Sequence, residues 1–121
     1  MIEAKADPPN QLLRINFVGH VDADEARRNE ATVGALLSGL QPGFRLLADL
    51  SRMDSMDPAC ESSIRRAMDL CNDKGVSQVV RVIPDPSKDI GLNIMSLFHY
   101  RRGVRIITCE TLDEAEQLLK S

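Results

Sequence analysis

Apolar and polar residues alternate from Leu13 to Val21, with Leu13, Ile15, Phe17 and Val21 on one side and Arg14, Asn16 and His20 on the other. A period of two predicts a strand with one face in a core. Gly19 is placed for a bulge near its end. Residues 2–6 form a shorter candidate strand, closed by Asp7-Pro8-Pro9-Asn10, a run that neither a strand nor a helix interior tolerates. Together the two segments predict a hairpin at a sheet edge. The period then changes. Asp22 followed by Glu25 reads as a capping box that opens a helix. Val33, Leu36, Leu37 and Leu40 recur at helical spacing as a core-facing stripe, which Gln41-Pro42-Gly43 ends.

Phe44-Arg45-Leu46-Leu47-Ala48 is an apolar strand candidate running into Asp49-Leu50-Ser51, and a polar loop then leads to Asp57-Pro58. Asp57 is a good N-cap and Pro58 suits the first helical position, so the pattern predicts a helix over residues 58–74. Its apolar stripe is Cys60, Ile64, Ala67, Met68 and Cys71, with Glu61, Arg65, Arg66, Asp69 and Asp73 turned elsewhere and Gly75 as the C-terminal cap. Residues 76–83 are β-branched and nearly continuous, the pattern of a strand covered on both faces. Pro84-Asp85-Pro86 breaks it. A third helix is expected over residues 88–100, with Ile90, Ile94, Leu97 and Phe98 inward and Met95 beside them. Residues 104–107 form a last strand. Thr111-Leu112-Asp113-Glu114 opens a terminal helix with Leu112, Ala115 and Leu119 inward. The order β-β-α-β-α-β-α-β-α predicts one layered α/β domain over residues 1–121, with a mixed central sheet and helices packed on it.

Composition narrows the function classes. A chain of 121 residues can bury one core, and a net charge of −3 gives no general electrostatic reason to bind nucleic acid or an anionic membrane. No apolar run approaches membrane-spanning length and residues 1–9 lack a signal-peptide core, so a cytoplasmic address without membrane insertion is expected. Three cysteines without close pairing fit that reducing compartment better than a disulfide framework.

The candidate chemistry gathers between residues 44 and 67. Acidic and hydroxyl side chains precede a helix N-terminus, where unpaired N–H groups and the helix dipole suit anions, phosphoryl regulation or partner docking. Asp49, Asp54 and Asp57 can be read as oxygen ligands for a cation. The better reading is a helix cap and two solvated acids, because no glycine-rich phosphate loop with its lysine accompanies them. No metal site is expected. His20 and His99 stand in different elements without a nucleophile or further ligands at a recognisable spacing, and read as surface residues. Cys60 and Cys71 read as core. Cys109, after a strand and near the last helix, is where a thiolate would be somewhat favoured, but no CxxC motif or nearby base supports a reactive role. Arg101, Arg102 and Arg105 read as solvated cations near a helix end.

Four spots resemble the STAS family, named for sulfate transporters and anti-sigma factor antagonists. Gly19-His20-Val21-Asp22 looks like the family's Gly-x-Leu-Asp at the exit of its early strand, and Asp49-Leu50-Ser51 like its Asp-Leu-Ser after the central strand. Met56-Asp57 falls where the family has an apolar residue and Asp before the second helix, and Thr111-Leu112-Asp113-Glu114-Ala115 looks like its closing helix start. The resemblance implies a STAS-like fold and a non-catalytic regulatory or protein-interaction module. The implied partner is a protein, an anti-sigma factor or kinase-like regulator among the possibilities. The surface it implies holds Asp54, Ser55, Asp57, Pro58, Glu61 and Ser62. No cofactor and no catalytic residue are implied.

Family members of the antagonist type carry a phosphorylated serine after the Asp of that loop. Pro58 stands at the position here, so the usual serine phosphoswitch is expected to be absent. Ser55 is the best substitute phosphosite, although Asp54 and Asp57 would repel a phosphate there. A second resemblance, to SpoIIAA-like relatives grouped with Sec14-type lipid-binding domains, implies instead a carrier or sensor of small ligands. Its pocket would lie on the third helix at Met95, Phe98 and Tyr100.

Overall fold

The computed structural model describes residues 1–83 and 103–120. Strand β1 (Ile2–Asp7) and strand β2 (Leu12–Val21) form the expected hairpin, joined through a 3-10 turn at Pro8–Asn10. They pair antiparallel, Ala4 opposite Ile15. Helix α1 (Ala23–Leu37) then returns the chain to strand β3 (Arg45–Met56), which runs parallel to β2. A 3-10 turn at Pro58–Cys60 leads into helix α2 (Glu61–Lys74), followed by strand β4 (Gln78–Val82). Strand β5 (Arg105–Cys109) and helix α3 (Leu112–Lys120) complete the described chain. The sheet order is β1-β2-β3-β4-β5, antiparallel at the first pair and parallel at the other three. The helix expected over residues 88–100 lies outside the described residues.

The sheet has a core on each face. Leu13, Ile15 and Phe17 of β2, Leu46, Ala48 and Leu50 of β3, and Val79 of β4 meet Val33 and Leu37 of α1 and Ile64, Met68 and Cys71 of α2. On the other face Leu12, Leu47, Val80, Val82 and Cys109 pack against Ala115 and Leu119 of α3. Strand β4 thus sits between two apolar layers, which is why its sequence is apolar without alternation. A bidentate ion pair adds to the second layer. Arg14 of β2 donates to both carboxylate oxygens of Glu116 on α3, at 2.5 and 2.9 Å.

Several local expectations are corrected. The segment after Asp49, read as a polar loop, continues as strand β3 as far as Met56. Helix α1 stops at Leu37, so Leu40 is buried from the connection that follows, and Leu36 is only half-buried. Leu112, expected inward, is 38% exposed at the first position of α3. The helix expected over residues 58–74 with Asp57 as its cap begins only at Glu61, behind the 3-10 turn Pro58–Cys60 that Asp57 caps instead, while the caps of α1 and α3 are as expected. Glu25 N donates to Asp22 Oδ1 at 2.8 Å and Glu114 N to Thr111 Oγ1 at 3.2 Å. Gly75 ends α2 at φ +100, and a Cβ there would stand 3.1 Å from Pro42 Cβ, so both conformation and space call for glycine.

The Arg14–Glu116 pair carries a pH signature. The hydrogen bonds from Arg14 hold the Glu116 carboxyl below its ordinary value of 4.5. A lowered folded-state value means the pair contributes fully above pH 4.5 and loses its contribution as pH falls through the folded value. Glu116→Gln is therefore expected to lower the melting temperature at neutral pH, by the equivalent of at most about 1 kcal/mol for a pair still partly exposed to solvent. The difference from wild type should vanish on acidification below that range. A difference that persists at pH 2 would contradict the assignment.

Candidate functional site

The parallel strands β2 and β3 end side by side, and each hands its chain to a helix through an aspartate. Asp22 caps α1, and its carboxyl is held low by the hydrogen bond from Glu25 N. Asp57 accepts from Ala59 N at 2.9 Å and so caps the 3-10 turn that opens α2. The two strand ends are tied together by Asp57 N donating to Val21 O at 2.9 Å. Cys60 anchors the same corner from below, fully buried with its thiol directed at Val21 O. Pro58, Ala59, Glu61 and Ser62 are thereby presented to solvent on a fixed corner.

An open groove of about 400 Å³ runs along this corner and the outer face of α2, lined by Pro58, Ala59, Glu61, Ser62, Arg65, Arg66 and Asp69. Its charges are of both signs and locally paired, Arg65 with Glu61 at 2.6 Å and Arg66 with Glu30 of α1 at 2.7 Å. Ser63, expected to lie within the helix, is buried and accepts from Arg66 Nη2 at 3.3 Å. The groove joins Pro58, Glu61 and Ser62 of the expected partner surface to Arg65, Arg66 and Asp69, expected only as solvent-side residues of the helix.

Asp54 and Ser55 belong to the end of β3 rather than to a free loop. The register between β2 and β3 slips between Asn16 and Val18 and again between Gly19 and His20. Gly19 takes φ +64 at the second slip. Ser55 is thereby set opposite His20, and His20 Nδ1 lies 2.7 Å from Ser55 Oγ. That contact was not legible in the sequence. The residues are far apart along the chain, and simple alternation through the bulges would not place them together.

The remaining candidates separate. Asp49 is buried, its carboxylate accepting from Ser51 N at 2.9 Å, away from the exposed Asp54. Among the described residues no cluster of acids, histidines and cysteines is arranged to hold a metal ion. Burial pushes the Cys71 thiol up to about 12 and raises those of Cys60 and Cys109. The thiolate expected to be favoured at Cys109 is thus corrected, since burial and the nearby Glu114 charge both disfavour it. Arg105 is exposed on β5. Met95, Phe98, His99, Tyr100, Arg101 and Arg102 lie outside the described residues.

Sheet order, the two-sided core and capped helices at the parallel strand ends define a STAS-like, SpoIIAA-like α/β fold. The anti-sigma factor antagonist SpoIIAA in its unphosphorylated form superposes with a TM-score of 0.69 at 11% identity, over 100% of this chain and 99% of that one. A protein of the DUF3478 family from Shewanella loihica with a SpoIIAA-like fold gives 0.69 at 14% identity, over 98% of this chain and 92% of that one. A STAS-domain protein from Planctomyces limnophilus gives 0.61 at 17% identity, over 98% and 96%. At such identities the likeness concerns the fold. No family model and no curated protein matches the sequence. None of the described helices is long and apolar enough to cross a membrane.

Proposed function

We propose that this chain is a non-catalytic, cytoplasmic regulatory module that docks onto a protein partner through the corner formed by Asp54, Ser55, Asp57, Pro58, Glu61 and Ser62. The observation that carries the reading is the open, mixed-charge groove beginning at that corner, on a helix start clamped to the core by Cys60 and the Asp57 cap. A rigid, exposed polar ledge of this kind suits recognition of a macromolecular surface better than enclosure of a small substrate. The likeness in fold to anti-sigma factor antagonists supports a partner of the anti-sigma or kinase-like regulator type. By the motif resemblance, Pro58 takes the place of the serine modified in such antagonists, and a proline has no hydroxyl to accept a phosphoryl group.

No observation among the described residues favours the alternative of a lipid or small-ligand carrier. The cavity between α1, α2 and the sheet measures about 20 Å³, room for about one water.

The test is a bulky substitution on the ledge. Ala59→Tyr is expected to reduce capture of the partner from native cell extract at least tenfold, equivalent to about 1.4 kcal/mol. Asp113→Tyr, on the exposed side of α3, should capture as wild type does, and both variants should melt within about 0.5 kcal/mol of wild type. Undiminished capture by Ala59→Tyr would contradict the reading.

A further inference from the structure

We propose that the outer edge of β1 is a self-association surface, at which two copies of this chain pair antiparallel about Ala4 and join their sheets into one. The carrying observation is a charge pattern that complements itself along that edge. Strand β1 reads Ile2-Glu3-Ala4-Lys5-Ala6-Asp7 and stands first in the sheet, with β2 on its inner side and, among the described residues, no strand on its outer side. With Ala4 opposite Ala4 of the second copy, Glu3 of each chain faces Lys5 of the other.

The backbone is in phase for that pairing. Val18 N donates to Met1 O at 2.8 Å, and the register sets Glu3 opposite Asn16 and Lys5 opposite Arg14. Residues of an antiparallel pair alternate between bonded and unbonded positions. Glu3, Lys5 and Asp7 therefore direct their N–H and C=O groups at β2, while Ile2, Ala4 and Ala6 turn theirs outward. About a twofold axis at Ala4, that residue exchanges both bonds with its copy, and Ile2 does so with Ala6. Glu3 and Lys5 then occupy the positions at which opposed side chains come closest.

Neighbouring registers are selected against. An axis at Glu3 sets Glu3 against its copy. An axis at Lys5 sets Lys5 against its copy and Glu3 against Asp7. Like charges directly opposite are destabilising, so the charges fix the register as well as the partner. Lys on an edge strand ordinarily keeps other strands away. Here its counter-charge lies two residues off on the same face, the Lys5 ammonium being 3.0 Å from Glu3 Oε1, so a second copy completes an alternating row that an unrelated strand would not match. On the other face Ile2 and Ala4 are half-buried at the margin of the α1 and α2 core, and pairing covers them. The proposal is independent of the partner corner at Asp57, which follows β3, two strands in from this edge.

Sedimentation equilibrium of the full chain at about 100 μM should show a dimer. Lys5→Glu and Glu3→Lys should each weaken it at least about tenfold, because the twofold axis turns one substitution into two like-charge contacts. Mixed in equal amounts, the two variants should associate again, the acidic edge of one meeting the basic edge of the other. The double variant Glu3→Lys/Lys5→Glu keeps the alternation and should dimerise as wild type does. Ala4→Pro, which removes only an outward N–H, should be monomeric while melting near wild type. A wild type that stays monomeric, a dimer left intact by Lys5→Glu or Ala4→Pro, or a mixture or double variant no more associated than the single variants would overturn the proposal.

Discussion

Ile64→Ala is expected to destabilise the protein by about 2–5 kcal/mol, a large part of the stability of an ordinary domain. Ile64 is 4% exposed and packs with Met68 and Cys71 against Ile15, Phe17, Leu46 and Ala48. It already borders the small cavity beneath α1 and α2. Truncation enlarges that void in a place where two helices and a sheet prevent collapse, so the cost should exceed the transfer free energy of the lost carbons. Asn29 lines the same cavity with its buried Oδ1 unpartnered among the described residues, so that edge of the void is already poorly satisfied. Denaturant unfolding measures the effect. A change below about 1 kcal/mol would place Ile64 outside the core.

Leu47→Ala should cost a similar amount, about 2–5 kcal/mol, from the opposite face of the sheet. Leu47 is fully buried among Leu12, Val80, Val82, Ala115 and Leu119. The two variants should differ in where they loosen the fold. Leu47→Ala should raise amide exchange along α3 and leave α2 protected, because α3 rests on that second layer. Ile64→Ala should raise exchange in α2 and leave α3 protected. The same exchange pattern in both variants would mean that the sheet does not separate two cores.

How much of this was legible in the sequence depended on the kind of signal. The alternation of Leu13, Ile15 and Phe17 and the stripe of Cys60, Ile64, Ala67, Met68 and Cys71 were read correctly, because each face opposes one apolar layer. The unalternating apolar strand was read as doubly covered for the same reason. The extension of β3 through Asp54 and Ser55 was not legible, because a bulged strand end carries polar residues on both sides, the composition of a loop. Leu112 was misplaced because its apolar side chain matched the stripe, whereas a helix's first residue can point past the core. Of the site, Asp57, Pro58, Glu61 and Ser62 followed from capping logic. The His20–Ser55 contact did not, since it exists only in the shifted register.

The helix start after β3 is proposed as the surface at which this chain meets a protein. Its most direct measurement is photo-crosslinking in native cells, with a photoreactive phenylalanine analogue placed at Ala59 and, separately, at Asp113. Position 59 should give one discrete protein adduct and position 113 none, and the adduct should be lost when Arg65→Glu is added in the adjoining groove. Equal adducts from both positions, or an adduct from position 113 alone, would contradict that assignment.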